Sequence, residues 1–251
     1  MTRRWLPLSI LTLIILGAPL VAYGQSSGFP AIKLSLDSAE TPEQLSTTIQ
    51  IVILITILSL APSILIMTTS FTRIVVIFHF LRQAIGTQNT PSNQILISLA
   101  LFLTYFVMTP VINEVNTTAL RPYLDDEIEQ QEALALATVP IKHFMIYHTR
   151  EKDLALFAGY FQAQDAKSPE ELSLFVVIPA FMINELRIAF QIGFMLYLPM
   201  LLIDMVVSAV LMSMGMMMLP PVMISMPFKV LLFVLVDGWY LVVESIIRGL
   251  Q

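Results

Sequence analysis

Beyond Leu172 charged residues stand singly in apolar sequence, at Glu185, Arg187, Asp204, Lys229, Asp237, Glu244 and Arg248. An ionised group at mid-bilayer costs on the order of 2.5 to 3.5 kcal/mol, so such side chains must face protein or water. Two chemistries fit them: a relay that passes protons or ions, or hydrogen bonds that tie helices together. Glu185 and Arg187 cannot share a helix face, so each needs a partner elsewhere. Asp237 and Glu244 fall on one face, Lys229 lies eight residues before Asp237, and Glu244 to Arg248 has the favourable i, i+4 order. Other chemistries lack their residues. Cysteine is absent, which excludes disulfides, thiolate metal sites and cysteine nucleophiles for this chain. His79, His143 and His148 do not have the spacing of a helical zinc site, and no phosphate loop, nucleophile elbow or catalytic acid pair occurs. The expectation is a protein without metal, cofactor or enzymatic activity.

The stretch Leu211-Met212-Ser213-Met214-Gly215-Met216-Met217-Met218-Leu219-Pro220-Pro221 is the most unusual one, with five methionines in seven positions before a double proline. Proline cannot donate a backbone hydrogen bond, so the preceding helix should end here and a loop should follow. Methionine is unbranched and polarizable and repacks at little cost. That suits a surface that closes on itself and deforms around varied passengers, and it equally suits ordinary core filling.

The elements that carry these residues are apolar helices. Hydrophobic residues make up 57% of the 251 positions and charged ones 12%, half the charged share of an ordinary soluble domain. The mean hydropathy is +0.80. A net charge of −5 with no basic run makes nucleic acid a poor partner. Arg3 and Arg4, the apolar stretch Leu6 to Ile15, and Ala22-Tyr23-Gly24 before Gln25 read as a secretory signal peptide over residues 1–24, cut between Gly24 and Gln25. The alternative is an uncleaved first membrane helix, for which the apolar core is short. Residues 25–43 then form an N-terminal segment outside the cytoplasm.

Thr41-Pro42-Glu43-Gln44 and Ser168-Pro169-Glu170-Glu171 place a hydroxyl at the N-cap, proline at the first helical position and a Gln or Glu to close a capping box, and Thr90-Pro91 repeats the first two. Residues 44–112 hold two long hydrophobic helices, drawn from uncharged runs of 29 positions (Gln44 to Thr72) and 31 positions (Gln83 to Asn113), each enough for about 20 residues per span. Pro62 should kink or break the first, and the second should end near Pro110. A helix end is expected at Gly86, with Arg82 in the last turn. Arg73 and Arg82 then form a cytoplasmic turn. Residues 113–171 are acidic, with eleven acids against five bases, which places them on the non-cytoplasmic side. Two amphipathic helices lie there, one with Ile141, Phe144, Met145 and His148 on a face and one with Leu154, Phe157, Ala158 and Phe161. Their apolar faces pack either on each other or across a subunit boundary. Residues 172–251 are again hydrophobic helices, with the methionine-rich loop at 212–221.

Several motifs follow one another along this frame: Thr69-Ser70-Phe71-Thr72-Arg73, Leu81-Arg82-Gln83-Ala84-Ile85-Gly86-Thr87, Leu99-Ala100-Leu101-Phe102-Leu103-Thr104, Pro179-Ala180-Phe181 with Glu185-Leu186, Ala189-Phe190-Gln191-Ile192-Gly193-Phe194, the methionine run, and Pro227-Phe228-Lys229 with Asp237-Gly238-Trp239. As an ordered set, from about residue 45 to 250, they resemble the FliP family of type III export gates, whose injectisome branch is SctR. Asn184 stands where the family pattern suggests a small hydroxyl residue.

The resemblance implies an all-α, polytopic, membrane-associated protein whose helical hairpins assemble into an oligomeric export gate. It implies a core pore-forming subunit that lines and seals the conduit for unfolded flagellar substrates, as a homopentamer with FliQ, FliR, FlhB and FlhA. The place implied is the bacterial inner membrane at the flagellar basal body, with part of the hollow conical stack raised to the periplasmic side. Hydropathy then overstates the spans, and the helices after Leu172 become hairpins buried in protein. By direct match Met216, Met217 and Met218 narrow the pore, with Met214 and Met212 beside them. Glu185, Arg187, Asp204, Lys229, Asp237, Phe144 and Phe157 fall to subunit interfaces or buried polar positions, and a gate of this kind does not itself need to bind protons. Two rivals remain: the injectisome subunit, against which the signal peptide and the acidic segment weigh, and a secondary transporter coupled through Asp204, Asp237 and Glu244, for which no internal repeat is visible.

Overall fold

The computed structural model describes residues 42–161, 168–216 and 218–250, with side chains from Ile49 onward. The signal peptide with its Gly24–Gln25 cut, the segment 25–41 and Met217 lie outside the described residues. About 84% of the structure is helical, and no strand occurs among the described residues, so the all-α expectation holds. The helices are α1 (Pro42–Met67), α2 (Phe71–Ile85), α3 (Asn93–Val115), α4 (Arg121–Leu124), α5 (Gln130–Tyr147), α6 (Glu151–Tyr160), α7 (Leu174–Ser213), α8 (Pro221–Leu235) and α9 (Gly238–Arg248). Three stretches are long and apolar enough to cross a membrane, and α8 with α9, bent by 63°, form a possible fourth.

α1 starts at Pro42 and runs through Pro62 without interruption, so the expected break at that proline does not occur. The break falls at Thr68 to Ser70 instead, where hydroxyls take over the carbonyls at the helix end. Thr68 Oγ1 donates to Ile64 O at 3.0 Å, Thr69 Oγ1 to Leu65 O at 2.8 Å and Thr72 Oγ1 to Ile66 O at 3.3 Å. Ile55, Ile57, Leu58, Leu60 and Leu65 are all exposed in the isolated chain. A helix apolar all round needs lipid or other helices about it.

α2 is the centre of the fold, which corrects the reading of Arg73 as part of a cytoplasmic turn. Ile74, Ile77, Phe78, Leu81 and Ala84 of α2 are buried against Ala100 and Leu103 of α3, Ala189 of α7, Phe233 of α8 and Ile246 of α9. Arg73 is 3% exposed. α2 ends as expected, with Gly86 at φ 87° and its N–H on Gln83 O. Arg82 caps the following loop through Asn93 Oδ1 at 2.6 Å. The helix after that loop begins at Asn93 with Ser92 as N-cap, two residues later than the Thr90-Pro91 cap predicts. It passes Pro110 and continues through a π-helical turn, Asn116–Leu120, into α4. The end predicted at Pro110 is therefore absent. Packing of Met108 and Val111 on both sides of that proline into the second core offsets the lost hydrogen bond.

That second core joins Met108 of α3, Phe144 and Met145 of α5, Leu154 of α6, and Val176, Val177, Ala180 and Phe181 of α7. The two amphipathic helices thus find their apolar partner in the first half of α7, within the same chain. Ser168-Pro169-Glu170-Glu171 makes only a 3-10 turn over Pro169–Glu171, and α7 is capped later, by Ser173 Oγ accepting from Phe175 N at 3.4 Å.

α7 is 40 residues long, so it extends ~60 Å at 1.5 Å per residue. The hydrocarbon layer is only ~30 Å thick, so the helix is about twice as long as that layer. It comes close to α2 at Gly193, where a Cβ would stand 2.5 Å from Phe80 Cδ2 and 2.9 Å from Phe80 Cβ. Because the Phe80 Cβ is fixed to its backbone, Gly193→Ala should push the helices apart and destabilise the chain by about 1 to 3 kcal/mol. Gly159→Ala meets nothing within 4 Å and serves as the control. Thermal melting in detergent checks this: equal midpoints for the two variants would show that α2 and α7 do not meet at Gly193.

Candidate functional site

Three of the four single charges of α7 and α8 are resolved into ion pairs, and the fourth, Arg187, bonds amide oxygens. Glu185 and Arg73 face each other across the first core: Arg73 Nε donates to Glu185 Oε2 at 2.8 Å, Nη2 donates to Oε1, and Nη1 donates to the Gly249 carbonyl at 3.0 Å. The fork is bidentate and almost fully buried, with Glu185 at 0% exposure. Buried in this way, each charge depends on the other. The partner that Glu185 lacks on its own helix is supplied by α2, 112 positions earlier.

Beside this pair, Asn184 Nδ2 donates to the His148 carbonyl, and Asn184 Oδ1 accepts from Arg187 Nη2 at 3.0 Å. The amide at position 184 therefore bridges the turn between α5 and α6 to α7, a span that a short hydroxyl side chain would not bridge. His148 is held below the usual imidazole range, first by burial and also by the nearby Arg73 charge, while its ring lies 2.9 Å from the Phe144 carbonyl. It stays neutral at physiological pH, with Nδ1–H on that carbonyl. Arg150 clasps Asp153 through two hydrogen bonds, at 2.9 and 3.2 Å.

A second cluster lies between α7 and α8, where Lys229 Nζ donates to Asp204 Oδ2 at 2.6 Å and Ser225 Oγ donates to Asp204 Oδ1. Lys229 is thus paired with Asp204, 25 positions earlier. Asp237 sits at the bend between α8 and α9, exposed and at φ 51°. Glu244 and Arg248 form the expected i, i+4 pair at 2.6 Å. Asp204 and Glu244 therefore have separate cationic partners. Phe144 and Phe157 both pack in the second core.

Of the methionine run, Met212 lies at the end of α7, and Met214, Met216 and Met218 lie between α7 and α8. The stop of α7 is glycine and not the prolines: Gly215 adopts φ 77°, its N–H donates to Met212 O at 3.0 Å, and Met216 N–H donates to Leu211 O at 3.0 Å. This is a Schellman ending, which needs a left-handed residue at that place. Pro221 then opens α8 at its first position, where no N–H is required. Met212, Met214 and Met216 are exposed, and Met218 is 98% exposed. Core filling within the chain does not describe them.

Ser225 and Arg73 were not legible as partners in advance. Ser225 is an ordinary hydroxyl in an apolar helix, and the contact that involves Arg73 depends on tertiary packing.

Fold and site together define a polytopic helical membrane protein held by buried ion pairs and carrying an exposed methionine turn on a hairpin. The chain belongs to the FliP family, whose profile matches residues 54–246. It is 54% identical over 216 residues to the flagellar biosynthetic protein FliP of Bacillus subtilis, covering 86% of this chain and 98% of that one. The FliP protein of Aquifex aeolicus is 47% identical over 243 residues, covering 96% and 98%. That of Caulobacter vibrioides is 53% identical over 203 residues, covering 81% and 76%.

Proposed function

We propose that this chain is the core pore-forming subunit of a flagellar type III protein export gate. It lines and seals the conduit for unfolded flagellar substrates, as a homopentamer with FliQ, FliR, FlhB and FlhA. The observation that carries the reading is the exposure of Met212, Met214, Met216 and Met218 at the tip of a hairpin that Asp204, Ser225 and Lys229 clasp. Flexible apolar side chains displayed in this way can close on their symmetry mates and part for a passing chain. The family membership and the flagellar names of the relatives support the flagellar branch over the injectisome one. The long α7, extending beyond a bilayer's thickness, supports an assembly partly raised to the periplasmic side of the inner membrane.

Native mass spectrometry of the complex co-expressed with FliQ and FliR tests this reading. A homopentamer is expected, with each copy beginning at Gln25 or its cyclised form after signal cleavage between Gly24 and Gln25. A chain that remains monomeric beside its co-expressed partners would reject the gate. A retained Met1 would reject the cleavage alone.

A further inference from the structure

Five of the chain's 15 methionines fall in the seven positions from 212 to 218, and cysteine is absent. Thioethers are therefore the side chains that a mild oxidant attacks first. Met212, Met214, Met216 and Met218 are exposed, whereas Met108, Met145 and Met200 are buried in the two cores. Exposure in one chain does not by itself keep a sulfur wet in an assembly. Met195 and Met205 of α7 are also open in the isolated chain, and an oligomer or lipid covers such helix flanks. A hairpin tip that closes a conduit is placed differently. A seal across a water-filled path is wetted at both mouths, and it parts each time a passenger crosses.

We propose, on the strength of the gate reading above, that the exposed methionines of this tip are a site of reversible oxidation by peroxide, and that their oxidation opens the seal. The sulfur lone pair attacks one oxygen of hydrogen peroxide, the O–O bond breaks, an S=O bond forms and water leaves. Sulfur loses two electrons and the peroxide gains them, so no further reactant is needed. A flexible apolar side chain becomes a polar, chiral sulfoxide. Donors at the tip are already engaged: Ser213 Oγ donates to Val210 O at 2.7 Å, and the Gly215 and Met216 N–H groups hold Met212 O and Leu211 O. Leu211, Leu219, Pro220 and Pro221 carry no side-chain donor. Water is the ready partner for a sulfoxide oxygen there, and a ring that holds water no longer seals.

The test uses the assembled complex in liposomes, with hydrogen peroxide as the probe and peptide mass spectrometry and ion conductance as readouts. Met214, Met216 and Met218 should become sulfoxides before Met195 and Met205, and Met145 should stay reduced. Conductance should rise about tenfold, the worth of one unpartnered polar group at an apolar contact. The two methionine sulfoxide reductases, one for each epimer, should then restore it. Leucine has no sulfur, so the chain with Met212→Leu, Met214→Leu, Met216→Leu, Met217→Leu and Met218→Leu together should show no rise above its own starting value. A rise in that variant, or a tip that stays reduced while Met195 and Met205 oxidise, would overturn the site. An oxidised tip with unchanged conductance, in a complex that does leak when Met216, Met217 and Met218 are alanine, would overturn the opening and leave the gate reading standing. If the alanine complex is also tight, the gate reading itself falls and the redox seal falls with it.

Discussion

Glu185→Ala and Arg73→Ala should each nearly abolish accumulation of the folded chain. Both side chains lie at 3% exposure or less, and removing one leaves the other as an uncompensated charge in the core. Breaking a buried pair from one side costs about 3 to 5 kcal/mol, a large share of the 5 to 15 kcal/mol that a folded domain has in total. The pair also reaches the C-terminal end of α9 through Arg73 and the Gly249 carbonyl, so three helices lose their common tie. Replacing both residues with apolar ones of similar length should be milder than either single change, because no charge is then stranded. Fluorescence-detected size-exclusion of the four proteins in detergent measures this directly. Single variants that accumulate like wild type, with only proton-dependent flux reduced, would return Glu185 to the relay reading.

Much of the architecture was legible because it rests on local chemistry. The Gly86 ending of α2, the Pro42 start of α1 and the faces of α5 and α6 follow from residue types at fixed spacing. The single charges of α7 and α8 were legible as needing partners, since an isolated charge in apolar sequence has few options. Which partner each took was not legible. Arg73 joins Glu185 across 112 positions, a contact set by the packing of α2 on α7, and the two arginines between the hydrophobic runs read equally well as a loop. Proline misled the reading at Pro110, where burial of its neighbours on α3 outweighs a lost backbone bond, and at Pro62 the helix continues unbroken. In the methionine turn the prolines drew attention away from Gly215, although the Schellman hydrogen bonds show that the glycine ends the helix. The exposure of the methionines could not be read in advance, because an apolar run has the same composition in a core and on a pore wall.

Replacing Met216, Met217 and Met218 together with alanine should leave the assembled complex intact and make the membrane leak. Met218 is 98% exposed and Met216 40% in the isolated chain, so truncating them removes little packing within it. Exposed substitutions are usually within about 0.5 kcal/mol, whereas a core Met to Ala costs about 2 to 5 kcal/mol. The two outcomes are therefore far apart: three core losses would unfold the chain, and three surface losses would not. What the alanines do remove is reach, since a thioether side chain extends three heavy atoms beyond Cβ and has several rotamers of similar energy. A ring of such side chains excludes water when its members touch, and a shortened ring leaves a wet gap. Export should persist at a reduced level, because the Gly215 ending of α7 and the clasp of Asp204 with Lys229 and Ser225 are untouched. The measurement pairs complex yield with ion conductance across the inner membrane in the triple variant. Lost complex places these methionines in packing between subunits, and intact complex with wild-type conductance removes them from the seal.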